Sequence, residues 1–319
     1  MSEIFFEVLR SGINTTYQDE GRFGLQHFGI TPGGCMDHKS FLIANALVGN
    51  KKNYGAIEFA FQGPLLRLVK GKVKIAITGN VYFKITNLNN DIINGECYRS
   101  YDLNQGDSID IIATNKSTYG YLSIEGGFKI DSFCNSVSTF VKAKIGPNNG
   151  NKISLGDTVK INKDRKNNKN LKAIFSSQNT NIIRVLKGPQ YDYFSEEAKK
   201  NFFSQFYKIS NLTDRMGMRL KGQVLENILN TNIRSEGITK GAIQVPADGQ
   251  PIILLTDHPT IGGYPKIANV ISADYDLLIQ KTPGTNILFQ CIELDEAEHL
   301  YNERHLNILK AIKNIKEIN

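Results

Sequence analysis

The chain has 319 residues, 40% of them hydrophobic, which is enough for two domains or one large one and excludes disorder on a large scale. Its 38 Lys and Arg against 31 Asp and Glu leave a formal charge of +7, but much of that excess sits in Lys163–Lys172 and the C-terminal tail, and no aromatic-interleaved basic stripe of the base-stacking kind accompanies it. The four cysteines are scattered without a CxxC pair, no apolar run reaches the ~20 residues of a membrane helix, and the N-terminus lacks a signal-peptide core; the expectation is a soluble cytoplasmic protein with reduced thiols, no nucleic-acid partner and no membrane partner.

In chain order, Ile4–Arg10 alternates enough for a strand. The stretch from Gly12 to Gly34 carries six glycines and Pro32, too many for a helix, and predicts a shaped, extended loop bearing Asp19, Arg22, Gln26 and His27. Those four groups shape the loop or serve an interface more readily than they catalyse. Asp37 is a plausible N-cap for a helix that puts Phe41, Ala44 and Val48 on one face and stops at Gly49-Asn50. Short strands follow at Ala56–Phe61, Leu65–Leu68, Val73–Thr78, Val81–Ile85, Ser108–Ile112, Tyr119–Ile124 and Thr158–Ile161. Turn signals such as Gly63-Pro64 and Gly79-Asn80 separate them, a pattern of barrels and sandwiches.

The polar, Asn/Lys-rich segment after Asn162 reads as a boundary, giving a first domain over 1–162, a linker over 163–181 and a second domain over 182–292. The second half restarts on Ile183–Gly188, which echoes Phe6–Gly12. Ser195 caps a predicted helix to Phe206, and strands are expected at Tyr207–Ile209 and Arg219–Leu220 around Asp214-Arg215-Met216-Gly217. Apolar runs at Ala242–Val245 and Ile252–Leu255 then lead into Thr256-Asp257-His258-Pro259-Thr260-Ile261-Gly262-Gly263-Tyr264-Pro265-Lys266. This loop combines a carboxylate, an imidazole, hydroxyls, a phenol and an ammonium with residues that fix backbone shape. Polar groups on a specified loop after a buried strand are where function concentrates. From Glu293 an amphipathic helix is expected to run to Asn319 and to pack on the second domain.

Four segments carry a resemblance: Thr15–Asp37 (TTYQDEGRFGLQHFGITPGGCMD), Ala44–Asn50, Leu212–Gly222 (LTDRMGMRLKG) and Ser235–Asp274. In order and in length they resemble the KipA family, also called allophanate hydrolase subunit 2-like or PxpC, the C subunit of bacterial 5-oxoprolinase. The resemblance runs from about Val8 to Phe289 and leaves the C-terminal helix outside. It implies a mainly β protein of two tandem cyclophilin-like β-barrel domains. It also implies a hydrolase subunit that opens 5-oxoproline to glutamate with ATP hydrolysis, together with PxpA-like and PxpB-like (KipI-like) partners. Two alternatives come with the family: the carboxyltransferase component of a urea-carboxylase-like, biotin-dependent system, and a non-enzymatic KipA-like regulator that binds a kinase-inhibitor partner. The sequence departs from the pattern at Asp257-His258-Pro259-Thr260, where many relatives carry Asp-Arg-Gln-Thr. Asn135–Thr139 likewise keeps the family's hydroxyls but lacks an arginine.

Lactam opening needs donors for developing negative charge, a base for water and a cation. Under the resemblance, Asp257, Lys266 and Glu236 are the catalytic candidates. Arg215, Gln244, Gln250, Thr256, His258, Thr260, Gly262, Gly263 and Tyr264 are the substrate-binding candidates. Structural alternatives stand beside them: a salt bridge between Lys266 and Asp257, a turn role for Glu236 and Gln250, a structural pairing of Arg215, and Tyr264 covering the barrel. There is no P-loop, no HExxH or clustered His/Cys set, no GxSxG elbow and no biotinyl Met-Lys-Met. ATP is therefore expected to be handled with partner subunits, no metal site is expected in this chain, and biotin enters only under the carboxyltransferase alternative.

Overall fold

The computed structural model describes residues 3–162, 169–174, 180–229 and 232–318. It is mainly β, with four α-helices among the described residues. The chain forms two compact units. One comprises Met1–Arg22, Gly33–Ser176 and Ile308–Asn319; the other comprises Phe23–Pro32 and Ser177–Asn307.

In the first unit, β1 (Ile4–Arg10), β2 (Thr16–Gln18) and helix α1 (His38–Leu47) precede β3 (Ala56–Ala60), β4 (Leu65–Lys70), β5 (Lys72–Thr78), β6 (Val81–Thr86), β7 (Ile92–Asn94), β8 (Arg99–Asn104), β9 (Ser108–Thr114), β10 (Tyr119–Ile124), β11 (Thr158–Ile161) and β12 (Asn170–Lys172). They make a six-stranded sheet in the order β11-β1-β4-β9-β6-β7 and a seven-stranded sheet that begins β2-β3-β10-β5-β8-β12. Phe6, Val8, Phe59, Leu66, Ile75, Leu103, Ile109 and Leu122 belong to one fully buried core. Alternation is lost in β3 and β10, which are buried at every position. Helix α1 explains this, because Phe41 and Ala44 pack with Ala56 and Tyr121 on the strands' other side. The cap is the expected one: Asp37 accepts from the Ser40 N–H at 2.9 Å and from the Ser40 hydroxyl at 2.7 Å.

The linker expected over 163–181 is described at 169–174 and 180–181; residues 163–168 and 175–179 lie outside the described residues. Asn170–Lys172 is not linker but strand β12. Its Leu171 N–H donates to Ser100 Oγ at 2.7 Å, and Asn170 Oδ1 accepts from the buried Lys74 ammonium at 2.9 Å. Lys74 is also paired with Asp102 at 3.1 Å, so a charge inside the unit is fully partnered.

The second unit contains β13 (Ile182–Lys187), helix α2 (Glu196–Ser204), β14 (Tyr207–Thr213), β15 (Gly217–Lys221), β16 (Glu236–Gly237), β17 (Ala242–Gln244), β18 (Ile252–Leu254), β19 (Ile261–Gly262), β20 (Lys266–Val270), helix α3 (Tyr275–Ile279) and β21 (Asn286–Cys291). Seven strands close a barrel in the order β13-β20-β17-β18-β15-β14-β21, sealed by a parallel pairing of β13 with β21. Strands β16 and β19 form a separate two-stranded ribbon. Ser195 caps α2 by accepting from the Ala198 N–H at 3.1 Å, and Phe202 of that helix stacks on Phe289 of β21 with ring centroids 4.6 Å apart.

Helix α4 (Leu294–Lys313) stops short of the expected Asn319: Lys316–Ile318 forms β22, which pairs antiparallel with β12 and extends the seven-stranded sheet. Within the second unit its Ala297 packs with Ile271 and Ile292, and Arg304 pairs with Asp276. Its last turn belongs to the first unit, where Ala311 joins Ile43, Leu47 and Ala76.

Candidate functional site

The Gly188-Pro189-Gln190 segment leaves β13 and runs beside the first residues of β20. Gly188 N–H donates to Ile267 O at 2.9 Å and Gln190 N–H to Lys266 O at 3.3 Å. A side chain at position 188 does not fit, since a Cβ there would lie 2.2 Å from Lys266 O. The β16–β19 ribbon sets Glu236 opposite Gly262. These elements, with β17, surround a cavity of about 340 Å³ whose lining includes Pro189, Glu236, Ile238, Thr239, Lys266 and Asn269.

Two of the three expected catalytic residues meet there. The Lys266 ammonium donates to Glu236 Oε1 at 2.5 Å; the Lys266 side chain is 6% exposed and that of Glu236 is 44% exposed. Gln190 completes the group. Its Nε2 donates to the same Oε1 at 2.9 Å, and its Oε1 accepts the Lys266 backbone N–H at 3.1 Å. The Lys266 hydrogen bond, and after it the Gln190 hydrogen bond, hold the Glu236 carboxyl below the usual carboxylate range. Gln244 lies opposite Lys266 in the β17–β20 register. The Gln244 side chain is buried, its Nε2 has no hydrogen-bond partner among the described residues, and Gly262 leaves room for it: a Cβ on Gly262 would sit 2.5 Å from that nitrogen. A buried amide donor without a partner is costly.

Asp257, the third expected catalytic residue, is held elsewhere. Arg215 grips both its oxygens, Nε to Oδ2 at 2.8 Å and Nη2 to Oδ1 at 2.9 Å, with both side chains buried. The salt bridge considered between Lys266 and Asp257 is therefore replaced by two separate pairs, Lys266 with Glu236 and Arg215 with Asp257. Arg215 does clamp a carboxylate, but one of this chain. Asp214 shapes the turn, its Oδ1 accepting from the N–H groups of Met216 and Gly217.

The remaining candidates are dispersed. Both amide atoms of Gln250 bond the backbone of Gly222, 28 positions away, at 2.9 and 3.2 Å. Thr256 shares a hydrogen bond with the Tyr275 hydroxyl at 3.0 Å, and its carbonyl accepts from Thr31 at 3.3 Å. His258 is buried with Nδ1 2.6 Å from Pro259 O; burial pushes its pKa below the ordinary value, outweighing that bond. Thr260 and Gly263 contribute carbonyls, accepting from Ile238 N–H at 3.2 Å and Ile233 N–H at 2.8 Å, and Tyr264 is 40% exposed. On the glycine loop, Asp19 is a loop-shaping group: it accepts from Gly21, Ser136 and Val137. Gln190 escaped the sequence reading. The signal was the Gly-Pro-Gln step directly after the β13 strand, of which Lys187-Gly188 alone was used.

Among the described residues no group of three or more His, Cys, Asp or Glu is placed to hold a metal ion, and no helix is long and apolar enough to cross a membrane. The cavity presents one ammonium already paired with a carboxylate, and that donor set does not fit a triphosphate, which needs several uncompensated donors. Its lining offers Lys266 as a donor and Glu236 as an acceptor, a pair that fits a small group with a carbonyl oxygen and an N–H.

Residues 28–291 match the family described as carboxyltransferase domain, subdomain A and B. The chain is 34% identical over 308 residues to the Haemophilus influenzae protein named as the C subunit of 5-oxoprolinase, covering 96% of this chain and 98% of that one. To the Escherichia coli protein of the same name it is 31% identical over 295 residues, covering 91% and 92%. Among solved structures, the urea amidolyase of K. lactis superposes with a TM-score of 0.86 at 28% identity, over 97% of this chain and 20% of that one.

Proposed function

The chain belongs to the carboxyltransferase-domain family of subdomains A and B, and from that premise we propose that it is the C subunit of an ATP-dependent 5-oxoprolinase, acting on a cyclic amide with PxpA-like and PxpB-like partners. The observation that carries this is the end-to-end match: 98% of the Haemophilus influenzae protein is covered, against 20% of the K. lactis urea amidolyase chain. The overall reaction takes 5-oxoproline, ATP and two waters to glutamate, ADP and phosphate. ATP phosphorylates the lactam carbonyl oxygen, one water adds to the activated carbon, the ring C–N bond breaks with the amine as leaving group to give an acyl phosphate, and a second water hydrolyses that acyl phosphate to the carboxylate and phosphate. ATP itself is handled with the partner subunits.

In this chain Lys266 donates to the carbonyl oxygen, where negative charge develops, and Glu236 accepts a proton from the ring N–H or from the attacking water. Support for these roles comes from the 2.5 Å Lys266–Glu236 contact, made by two residues that line the cavity. Asp257 serves by holding Arg215 and the strand end in place.

A second reading draws on the urea amidolyase superposition: carboxyl transfer to or from a biotinylated partner over the same carbonyl-and-N–H site. Reconstitution separates the two. Mixing the chain with its PxpA-like and PxpB-like partners gives ADP release dependent on 5-oxoproline. No such release with all three proteins folded and associated overturns the assignment. Carboxylation of a urea-like acceptor in the presence of a biotin carboxylase and a biotinylated carrier establishes the second reading instead.

A further inference from the structure

Both hydrogen bonds that reach the Glu236 carboxylate end on Oε1: one from the Lys266 ammonium and one from Gln190 Nε2. No described residue donates to Oε2. Gln190 is the residue that ties this arrangement to the backbone. Its own N–H donates to Lys266 O at 3.3 Å and its side-chain oxygen accepts Lys266 N–H at 3.1 Å, so it bonds both main-chain groups of the residue whose ammonium holds Glu236. A closed ring results: Gln190 side chain, Glu236 Oε1, Lys266 side chain, Lys266 backbone, Gln190. Gly188 lets the segment lie close enough for this, since a Cβ there would meet Lys266 O, Ile267 C and Ala268 N within 2.8 Å. Gln190 is 8% exposed, whereas the Glu236 side chain is 44% exposed. A half-exposed carboxylate on a two-residue ribbon strand has several rotamers open to it, and two donors converging on one oxygen select among them.

We propose that Gln190 is the positioning residue of this site: by occupying Glu236 Oε1 together with Lys266, it fixes the carboxylate so that Oε2 is the acceptor the cavity presents to a substrate N–H or to the attacking water. The proposal rests on the 5-oxoprolinase reading for its catalytic consequence, but not for its geometry. A base is effective when held within hydrogen-bond reach of the proton it takes, and misplacement by about 1 Å costs up to ~100-fold.

The test uses two variants of the full chain. Gln190→Met keeps the side-chain length and removes both donor and acceptor. Gln190→Glu keeps an acceptor for Lys266 N–H but puts a carboxyl where the donor to Glu236 was, so the β20 contact survives if the first variant folds poorly. The first readout needs no partner: the Glu236 side-chain carboxyl is followed by carbon-13 NMR through a pH titration, assigned by its disappearance in Glu236→Gln. In both variants Glu236 titrates at higher pH than in the parent, because a donor to the charged form is gone; superimposable curves overturn the proposal.

The second readout is turnover by the assembled enzyme with both partners present. The expected result is a kcat lower by roughly tenfold or more with little change in KM, and an acid limb of the kcat profile displaced to higher pH. An acid limb that stays in place, with activity merely scaled down, assigns Gln190 a structural role and overturns the proposal. If the parent assembly opens no 5-oxoproline at all, the functional assignment falls, while the titration still decides whether Gln190 positions Glu236.

Discussion

Arg215 and Asp257 show how much a partner changes a residue's meaning. In the sequence each is a chemically versatile group beside glycines; in the fold each is buried against the other through two hydrogen bonds. Removing one member of such a pair strands the other charge away from water, so Arg215→Met is expected to cost about 3–5 kcal/mol in denaturant unfolding. The double change Arg215→Met/Asp257→Leu should cost less than the sum of the singles, because nothing charged is then left unpaired. If the double costs the full sum, the pair is not coupled as described. His258 gives a pH prediction. Its folded pKa lies below the ordinary 6.5 because burial penalises the imidazolium, so the unfolded chain binds a proton that the folded chain refuses. Stability is therefore fully present above about pH 6.5 and falls as the pH drops below that value towards the folded pKa. His258→Asn should flatten that part of the curve of Tm against pH; an unchanged slope would exclude His258 as its source.

At the scale of elements, what was legible is what is decided locally. Asp37 and Ser195 were identifiable as caps because a cap needs a short polar side chain and the first turn's own N–H groups, all within a few residues. Strands β3 to β6, β9 and β10 were legible from apolar runs between turn signals. Strands β2, β7, β8, β12 and β22 were not, because their residues carry no period and pair through backbone groups supplied from far along the chain. Strand β12 is the sharpest case: Asn170–Lys172 sits in a low-complexity run, yet Ser100 and β22 give its backbone a place in a sheet. The same reasoning yields a prediction at the Gly188 step. Gly188→Ala places a Cβ 2.2 Å from Lys266 O, where backbone must move. It should destabilise the second unit by about 1–3 kcal/mol in thermal or denaturant unfolding. A neutral Gly188→Ala would mean that the close approach to β20 is not maintained.

For the whole molecule, the barrel of the second unit closes by pairing β13 with β21, about a hundred residues apart, and no local pattern announces that closure. The cavity lies among β16, β17, β20 and the segment after β13, so its walls come from places separated in sequence. A cavity lined by one ion pair lacks the uncompensated donors that a triphosphate needs. The isolated chain is therefore expected to turn over no 5-oxoproline. In the assembled enzyme, Lys266→Met should reduce kcat by about 100-fold or more while leaving the association of the partners intact, as measured by co-purification. Undiminished association with no turnover even in the parent chain would instead favour a role in sequestering the partner.

Length, composition and turn chemistry by themselves determined a mainly β chain with a capped helix in each half and an amphipathic helix near the end, because propensity, capping and hydrophobic period act over a few residues. The sequence also singled out the stretch from Ser235 to Gln290, with Glu236, Gln244 and Lys266 beside Asp257 and His258 among its candidates, because residue type and shaped loops are local properties. The tertiary structure decided the pairings. It gave Lys266 to Glu236 and Asp257 to Arg215, brought in Gln190 from 46 positions away from Glu236, and turned Lys316–Ile318 from expected helix into strand. The physical reason is the same in each case. A buried charge or an open strand edge is satisfied by whichever group the folded chain brings within hydrogen-bond reach, and distance along the sequence says nothing about that.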